Sequence, residues 1–314
     1  MIASEPLVTI LINNYNYGQF LAQAIDSALA QSYSNLQIIV VDDGSTDNSR
    51  EVMRRYGNRI TPIFKANEGQ ASALNAGYSE SKGSWLALLD SDDLFVSSKV
   101  QTLMSYAKAF PVAGLMAHNL NYCDEEGEAT VFSRTTASSV RLLDDRAKAR
   151  RGKFSTALPP TSALALDRDT ASKIFPVPPD FTIAADNFIQ TAALALTPVL
   201  IIPEFLATQR IHPKNSYTRR TKTEEFSLGE YVVRARVAYR IKERFPFLER
   251  VAWKTYGAIA YRLMASRAKS AKEVRKAVHM EYGLLERSLP SFYYVGGGFM
   301  AAFLRDLVGT RRIR

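Results

Sequence analysis

Cysteine is nearly absent from this sequence: Cys123 is the only one in 314 residues, and there are only three histidines. A lone thiol excludes an intrachain disulfide and a zinc site built from several thiolates. No apolar run approaches the roughly 18 residues that a membrane-spanning helix needs. The opening residues, Met1 to Pro6, lack a basic stretch followed by an apolar one, so no signal peptide is expected. No Gly-x-Gly-x-x-Gly follows the first apolar run, which disfavours a nicotinamide dehydrogenase. The expectation is a soluble or peripheral cytoplasmic protein. A hydrophobic content of 46% and a charged content of 23% suit a globular chain. The length suits one large domain, or one domain with an appendage.

Positive charge is scarce in the first two-thirds and concentrated in the last third. Residues 219–314 hold 21 Lys+Arg against 9 Asp+Glu, a net of +12, whereas residues 1–218 hold 19 against 22, a net of −3. That asymmetry divides the chain into 1–218 and a basic region, 219–314, and points to an anionic partner for the second part. No recognised nucleic-acid module is visible, so nucleic acid is not the expected partner.

The first part alternates apolar β-branched runs with helical spacing. Strands are predicted at 8–12, 36–41, 60–64 and 85–89, with helices over 19–30, 47–56 and 70–78, Asp47 being a possible N-cap. This alternation implies βαβ units, hence an α/β fold with a mostly parallel sheet flanked by helices. Further strands are expected at 113–122, 129–132, 162–166 and 199–202, and a helix at 184–196. Residues 141–153 read as a charged, mobile segment. Beyond residue 219 the signal is helical, with breaks near Pro246, Pro290 and the glycines at 296–298.

In open parallel sheets ligands bind beyond the carboxyl ends of the strands. Here those ends are polar: Asn13 to Gly18, Asp42-Asp43-Gly44-Ser45, and Asp90-Ser91-Asp92-Asp93. Five carboxylates on one sheet edge repel unless a cation or hydrogen-bond donors offset them. For Asp90, Asp92 and Asp93 the natural offset is Mg²⁺ or Mn²⁺ shared with phosphate oxygens. Asp42 to Ser45 also suits a plain turn, and Tyr15 plain packing at a strand edge.

The run from Val8 to Ser49, with Asn67-Glu68-Gly69-Gln70-Ala71-Ser72-Ala73-Leu74-Asn75 and Leu88-Leu89-Asp90-Ser91-Asp92-Asp93, resembles the family 2 glycosyltransferases of the GT-A fold. The likeness is dense over 7–110 and looser over 160–217. It implies an inverting enzyme taking a nucleotide-sugar donor, UDP- or dTDP-linked, to a carbohydrate or lipid-linked acceptor. Asn13, Tyr15, Asp42, Asp43, Gln70, Asn75, Asp90 and Ser91 would then line the donor pocket, with Tyr15 stacking on the base and Asp43 accepting from its N–H. Asn75 equally suits a helix surface. Asp90, Asp92, Asp93 and His212 would hold the metal, and Arg210 would reach phosphate. His212 falls in Gln209-Arg210-Ile211-His212-Pro213-Lys214-Asn215-Ser216, and it equally suits a structural role. Asp186, in Ala184-Ala185-Asp186-Asn187, would be the general base, although a carboxylate there also suits a helix N-terminus. Asp180 and Asp169 are weaker candidates. No Gln-x-x-Arg-Trp follows, so a non-processive transfer of one sugar in cell-surface polysaccharide or glycolipid synthesis is expected. The alternatives are a sugar-phosphate nucleotidyltransferase, weakened by the lack of Lys or Arg in 13–18, and a nucleic-acid- or membrane-binding non-enzyme, suggested by the basic tail.

In the tail, Phe299, Met300, Phe303, Leu304, Leu307 and Val308 fall on one helical face, followed by Arg311, Arg312 and Arg314. The pattern suits an interfacial helix on an anionic membrane surface or a helix docked on protein.

Overall fold

The computed structural model describes residues 5–130, 137–215 and 224–265. Two compact units emerge: Met1–Asp144 with Thr156–Arg219, and Asp145–Ser155 with Arg220–Arg314.

The first unit begins β1 (Val8–Asn14), α1 (Gly18–Leu29), β2 (Leu36–Asp43), α2 (Ser49–Arg54), β3 (Thr61–Lys65), α3 (Gln70–Glu80) and β4 (Trp85–Asp90). It continues through β5 (Leu94–Phe95), α4 (Lys99–Ala109), β6 (Leu115–Cys123) and β7 (Arg141–Leu143). The short α5 (Arg146–Ala149) belongs to the second unit. The chain then returns with β8 (Leu164–Asp167), α6 (Arg168–Ile174), α7 (Ala185–Leu196) and β9 (Val199–Arg210).

The strands lie in the order β3-β2-β1-β4-β8-β6-β9-β5, with β7 paired to β9. The block β3-β2-β1-β4 is parallel, and β8 then joins it antiparallel. Parallel strands covered on both faces must be apolar on both faces. Val8 to Ile12 meets that requirement and is buried throughout. The chain leaves β1 toward β2 on one side and reaches β4 on the other, which makes the end of β1 a topological switch point. There Asn13 pairs with Asp90, and Asn14 with Asp42.

On one face α1 buries Phe20, Leu21, Ala24, Ile25 and Ala28. On the other, α3 packs closely on β1: a Cβ at Gly77 would stand 2.0 Å from Leu11 Cδ1. No side chain caps the start of α3. Its first N–H groups donate instead to the carbonyls of Thr182 and Phe181, at 2.9 and 3.0 Å, which satisfies donors that a helix start leaves open. Gly69, just before, has φ 92 and ψ 172, a region open essentially to glycine alone. A Cβ there would also meet Thr182 Cα at 2.4 Å.

Several elements differ from the sequence reading. The helices α4 and α6 were not expected from the pattern. Residues 141–153 contain a strand and a short helix rather than a featureless charged segment. At 129–132 the described residues form a single bridge, Cys123 to Ala129. Strand β9 runs on to Arg210 because the register along β6 shifts at His118 to Leu120 instead of ending. Asp47 is not the N-cap of α2, which is Asn48. Asp47 accepts from Ser49 N and from Gly18 N, so it ties the starts of two helices together.

The second unit contains α8 (Glu224–Arg244) and α9 (Glu249–Ala265), broken at Pro246 as the sequence implies. The segment 145–155 is held on it: the Arg150 guanidinium lies 4.6 Å from the centre of the Phe247 ring, and Lys254 Nζ donates to Arg151 O. The apolar stripe of 299–308 lies outside the described residues. Among the described residues, no helix is long and apolar enough to cross a membrane.

Because Leu11 is fully buried, Gly77→Val must displace packed core. The substitution should destabilise the fold by about 1–3 kcal/mol, read as a lower urea midpoint at unchanged slope. An unaltered midpoint would mean that α3 and β1 are not in this close register.

Candidate active site

Asp90, at the end of β4, stands beside Asn13, whose side chain hydrogen-bonds the carboxylate. Burial, then the charges of Asp92 and Asp186, push the Asp90 carboxyl up to about 7. Asp90 N donates to Ser162 Oγ, and Ser91 N donates to Asn13 O. Two buried atoms at this strand end, Asn13 Oδ1 and Ser91 Oγ, have no hydrogen-bond partner. A buried polar atom without a partner costs about 1–3 kcal/mol, and here two of them border one carboxylate.

Asp93 points inward, which corrects its expected role as a metal ligand. Its carboxylate accepts from Arg210 N at 2.9 Å and from Ser162 Oγ at 2.6 Å, so both oxygens are occupied by protein. Burial raises its carboxyl well above the usual range, with Asp92 and Asp90 adding to the shift. Lys99, fully buried at the start of α4, donates from Nζ to Ser162 O at 2.7 Å and lies over the Phe95 ring. Arg210 is likewise sealed in. Its guanidinium donates to Asp92 O, Glu125 O and Gln23 Oε1 and packs on the Phe20 ring, so it cannot reach a phosphate as the sequence suggested.

Asp92 faces the other way. Its Oδ2 lies 3.0 Å from His212 Nε2 and accepts from Asn215 Nδ2 at 3.2 Å. The imidazole is packed against Tyr17 and Phe20, and its buried Nδ1 has no partner. The Tyr17 phenol is pushed up by burial and then by Asp92, Asp90 and Asp93. No group of three or more His, Cys, Asp or Glu is arranged to hold a metal among the described residues. What is present is the Asp92–His212 pair with Asp90 close enough to repel Asp92. Divalent ions at nucleotide sites take one or two carboxylates and fill their shell with phosphate and water. The donor set therefore fits a cation that arrives with a diphosphate, and does not fit a closed protein cage.

The acids at the end of β2 are neutralised within the protein. Asp42 is fully buried, accepts from Asn14 Nδ2 and Ser45 N, and pairs with Arg50 Nε at 2.9 Å. It has no face left for a nucleotide, which corrects that expectation. Asp43 accepts from Lys65 Nζ at 2.7 Å and from the backbone N–H groups of Glu68 and Gly69. In this structure it shapes the 65–69 loop rather than presenting a free carboxylate to a base. Tyr15 is 45% exposed and free to meet a planar ligand.

Asp186 lies in the first turn of α7 and comes close enough to Asp90 to raise it. Burial lifts the Asp186 carboxyl to about 6, against the lowering effect of backbone donors at Asn187, Thr161 and Asp186 itself. Its side chain accepts from Gln190 Nε2 at 3.3 Å. Gln70 lies between the two acids: its Nε2 is 3.4 Å from Asp90 Oδ1, and its Oε1 accepts from Ala185 N at 3.0 Å. Asn75 is turned away. Its amide donates to Val177 O and accepts from Val177 N, so it holds that segment and is no donor contact. The sequence reading missed Thr161, Ser162 and Lys99. A weak signal was available in the polar Thr161-Ser162 pair set between prolines and a buried strand.

Residues 9–175, just over half of the chain, match the family model described as Glycosyl transferase family 2. This chain belongs to that family. An uncharacterized glycosyltransferase of Nostoc sp. is 36% identical over 217 residues, covering 67% of this chain and 66%, just under two thirds, of the relative's own length. Glycosyltransferase GlyG of Streptococcus pneumoniae is 33% identical over 125 residues, 38% of this chain and 42% of GlyG. Among solved structures, S. aureus TarS 1–349 in complex with UDP superimposes with a TM-score of 0.60 at 13% identity, covering 94% of this chain and 80% of that one. The mannosyltransferase PcManGT of Pyrobaculum calidifontis, in complex with GDP-Man and Mn²⁺, gives a TM-score of 0.51 at 17% identity, covering 97% and 88%. These likenesses establish the GT-A-like α/β fold of the family 2 chain.

The raised Asp186 carboxyl carries a stability consequence. A folded-state pKa of about 6 against an ordinary 3.8 means that ionisation destabilises the fold. Its stabilising contribution is complete below the ordinary value and is lost as pH rises through about 6. Asp186→Asn should therefore stabilise the protein at pH 8 by about 1–3 kcal/mol, with the gain shrinking toward pH 4. Equal effects at both pH values, read by thermal unfolding, would contradict the assignment.

Proposed function

We propose that this chain is a metal-dependent, inverting glycosyltransferase that moves one sugar from a nucleoside-diphosphate sugar to an acceptor hydroxyl. Residues 1–218 would form the transferase domain and 219–314 a basic helical region. The observation that carries this reading is the meeting of Asp90, Asp92, His212 and Asp186 around one strand-end crevice of a family 2 chain. Two features fit a donor pocket there: the exposed Tyr15 ring, which can stack on a base, and the unpartnered Asn13 and Ser91 atoms, which can bond ligand hydroxyls. The complexes of TarS with UDP and UDP-GlcNAc support a uridine donor, and that of PcManGT supports a guanosine one. With Asp43 committed to its loop, the UDP or dTDP preference rests on the family likeness.

The Asp92–His212 pair, with Asp90 nearby, would receive Mg²⁺ or Mn²⁺ together with the donor diphosphate, and the ion when bound would supply Lewis-acid stabilisation of the departing diphosphate. Asp186 accepts the proton of the acceptor hydroxyl as its oxygen bonds the anomeric carbon and the bond from that carbon to phosphate breaks. A carboxyl titrating near 6 is ionised, and basic enough to take that proton, at neutral pH. The acceptor is a carbohydrate or lipid-linked hydroxyl of cell-surface polysaccharide or glycolipid synthesis. The net +12 of residues 219–314 would hold the enzyme on an anionic membrane surface at the cytoplasmic side.

A donor screen tests the chemistry. UDP-, dTDP- and GDP-sugars are supplied with Mn²⁺ or Mg²⁺, and nucleoside-diphosphate release is measured. Chelation and Asp92→Ala should each abolish release, and Asp186→Asn should lower kcat by about 10²–10⁴-fold. The parent's rate should fall below about pH 6 as Asp186 takes up its proton. Activity that survives both chelation and Asp92→Ala overturns the metal role. For the basic region, the full chain should co-sediment with phosphatidylglycerol vesicles and release as salt rises. No binding at low salt would remove the membrane assignment.

A further inference from the structure

The start of α7 raises a question of support. The residue before it, Ala184, has φ 58 and ψ 35, a left-handed conformation that an alanine adopts at a cost of about 1–3 kcal/mol. No local side chain caps the helix. Its first N–H, on Ala185, is satisfied from a distant part of the chain by Gln70 Oε1 at 3.0 Å. The other end of the same amide reaches Asp90 Oδ1. Thr161, buried beside both acids, is the second neighbour they share, and it favours the ionised form of each. The Asp90 carboxylate is thus linked by Gln70 to the backbone one residue before Asp186, and Thr161 neighbours both acids.

We propose that Gln70 and Thr161 are positioning residues that fix Asp186 relative to Asp90, and that Gln70 is not a donor contact. The inference rests on the reading of Asp186 as the acceptor base. The surroundings make Gln70 a rigid support. Its own N–H donates to Thr182 O, the next N–H donates to Phe181 O, and Gly69 packs on Thr182. The first turn of α3 therefore lies flush along 181–185, and the Gln70 side chain emerges from that seam. Thr161 is buried and has little freedom to rotate away. A displacement of the base by about 1 Å can lower a rate 10²-fold, so a support of this kind acts on turnover rather than on donor affinity.

Gln70→Met keeps the length of the side chain and removes both hydrogen bonds. Thr161→Val removes the hydroxyl and keeps the shape. Amide exchange by mass spectrometry in peptides covering 181–190 needs no turnover, and should run roughly tenfold faster in Gln70→Met with UDP affinity, measured by calorimetry with Mn²⁺, within about twofold of the parent. On the donor identified by nucleoside-diphosphate release, each variant should lower kcat by roughly tenfold or more with donor KM within about twofold. In an Asp186→Asn background, either substitution should add less than about twofold, because the effect runs through Asp186. Unchanged exchange over 181–190, a rise confined to donor KM, or full additivity with Asp186→Asn would each overturn the proposal. Full activity in Asp186→Asn alone would overturn the base assignment instead, and exchange would still decide whether Gln70 and Thr161 hold α7. Should Gln70→Met fail to fold, Thr161→Val carries the same kinetic comparison.

Discussion

Like charge gathered at the carboxyl end of a parallel sheet is the constraint around which this unit is organised. Three carboxylates fall within four residues at the end of β4, and Coulomb repulsion inside a protein is far stronger than in water. The protein answers each one differently. Asp93 is turned into the core and received by the Arg210 backbone, Ser162 and the nearby Lys99. Asp92 is shared with His212 and Asn215. Among the described residues Asp90 has no cationic partner, and its carboxyl is pushed up to about 7 beside two unpartnered polar atoms. Compensation thus weakens from the innermost acid outward, and the deficit is left where an incoming cation and diphosphate would meet it.

The buried bases explain why this gradient holds. Lys99 is drawn well below its ordinary pKa by burial, a costly placement for an ammonium group without partners. Its bond to Ser162 O fixes the turn whose Oγ serves both Asp93 and the Asp90 backbone. Arg210 crosses behind the cluster and ties Asp92 O to the 124–125 turn. Neither base contacts the crevice. Their work is to hold the loop after β4 in a conformation that presents Asp92 and withholds Asp93.

Periodicity made β1, β2 and β4 and the first three helices legible, because buried parallel strands are apolar on both faces. The polar strand ends that carry Asp90 and Asp92 stood out for the same reason, because they interrupt that pattern, whereas Asp186, in the first turn of α7, was suggested only by the family likeness. Which acids stay available was not legible. Asp42 and Asp90 look alike in sequence, yet Arg50 reaches only the first and neutralises it. Asn75 reads as a site residue by its neighbours, but Val177, a hundred residues away, takes both ends of its amide. Long-range partners such as these depend on how α3 packs, and no local spacing encodes them.

That packing also explains why the two halves of the crevice stay in register. Asp90 ends β4 and Asp92 follows it, while Asp186 arrives after the chain has passed through β8 and α6. Loops of that length would leave their ends loosely placed if they were held only at their own termini. Here α3 closes the gap. It is seated on β1 through Gly77, and its N-terminal donors take the carbonyls of 181 and 182. The strand that bears Asn13 therefore supports, through one helix, the segment that bears Asp186. The left-handed Ala184 is tolerated because several of its neighbours are already fixed, which is the condition under which local strain persists at functional sites. Geometry held this way is fixed by the fold, and pre-set geometry is what would let Asp186, as the proposed base, remove a proton without first reorganising its surroundings.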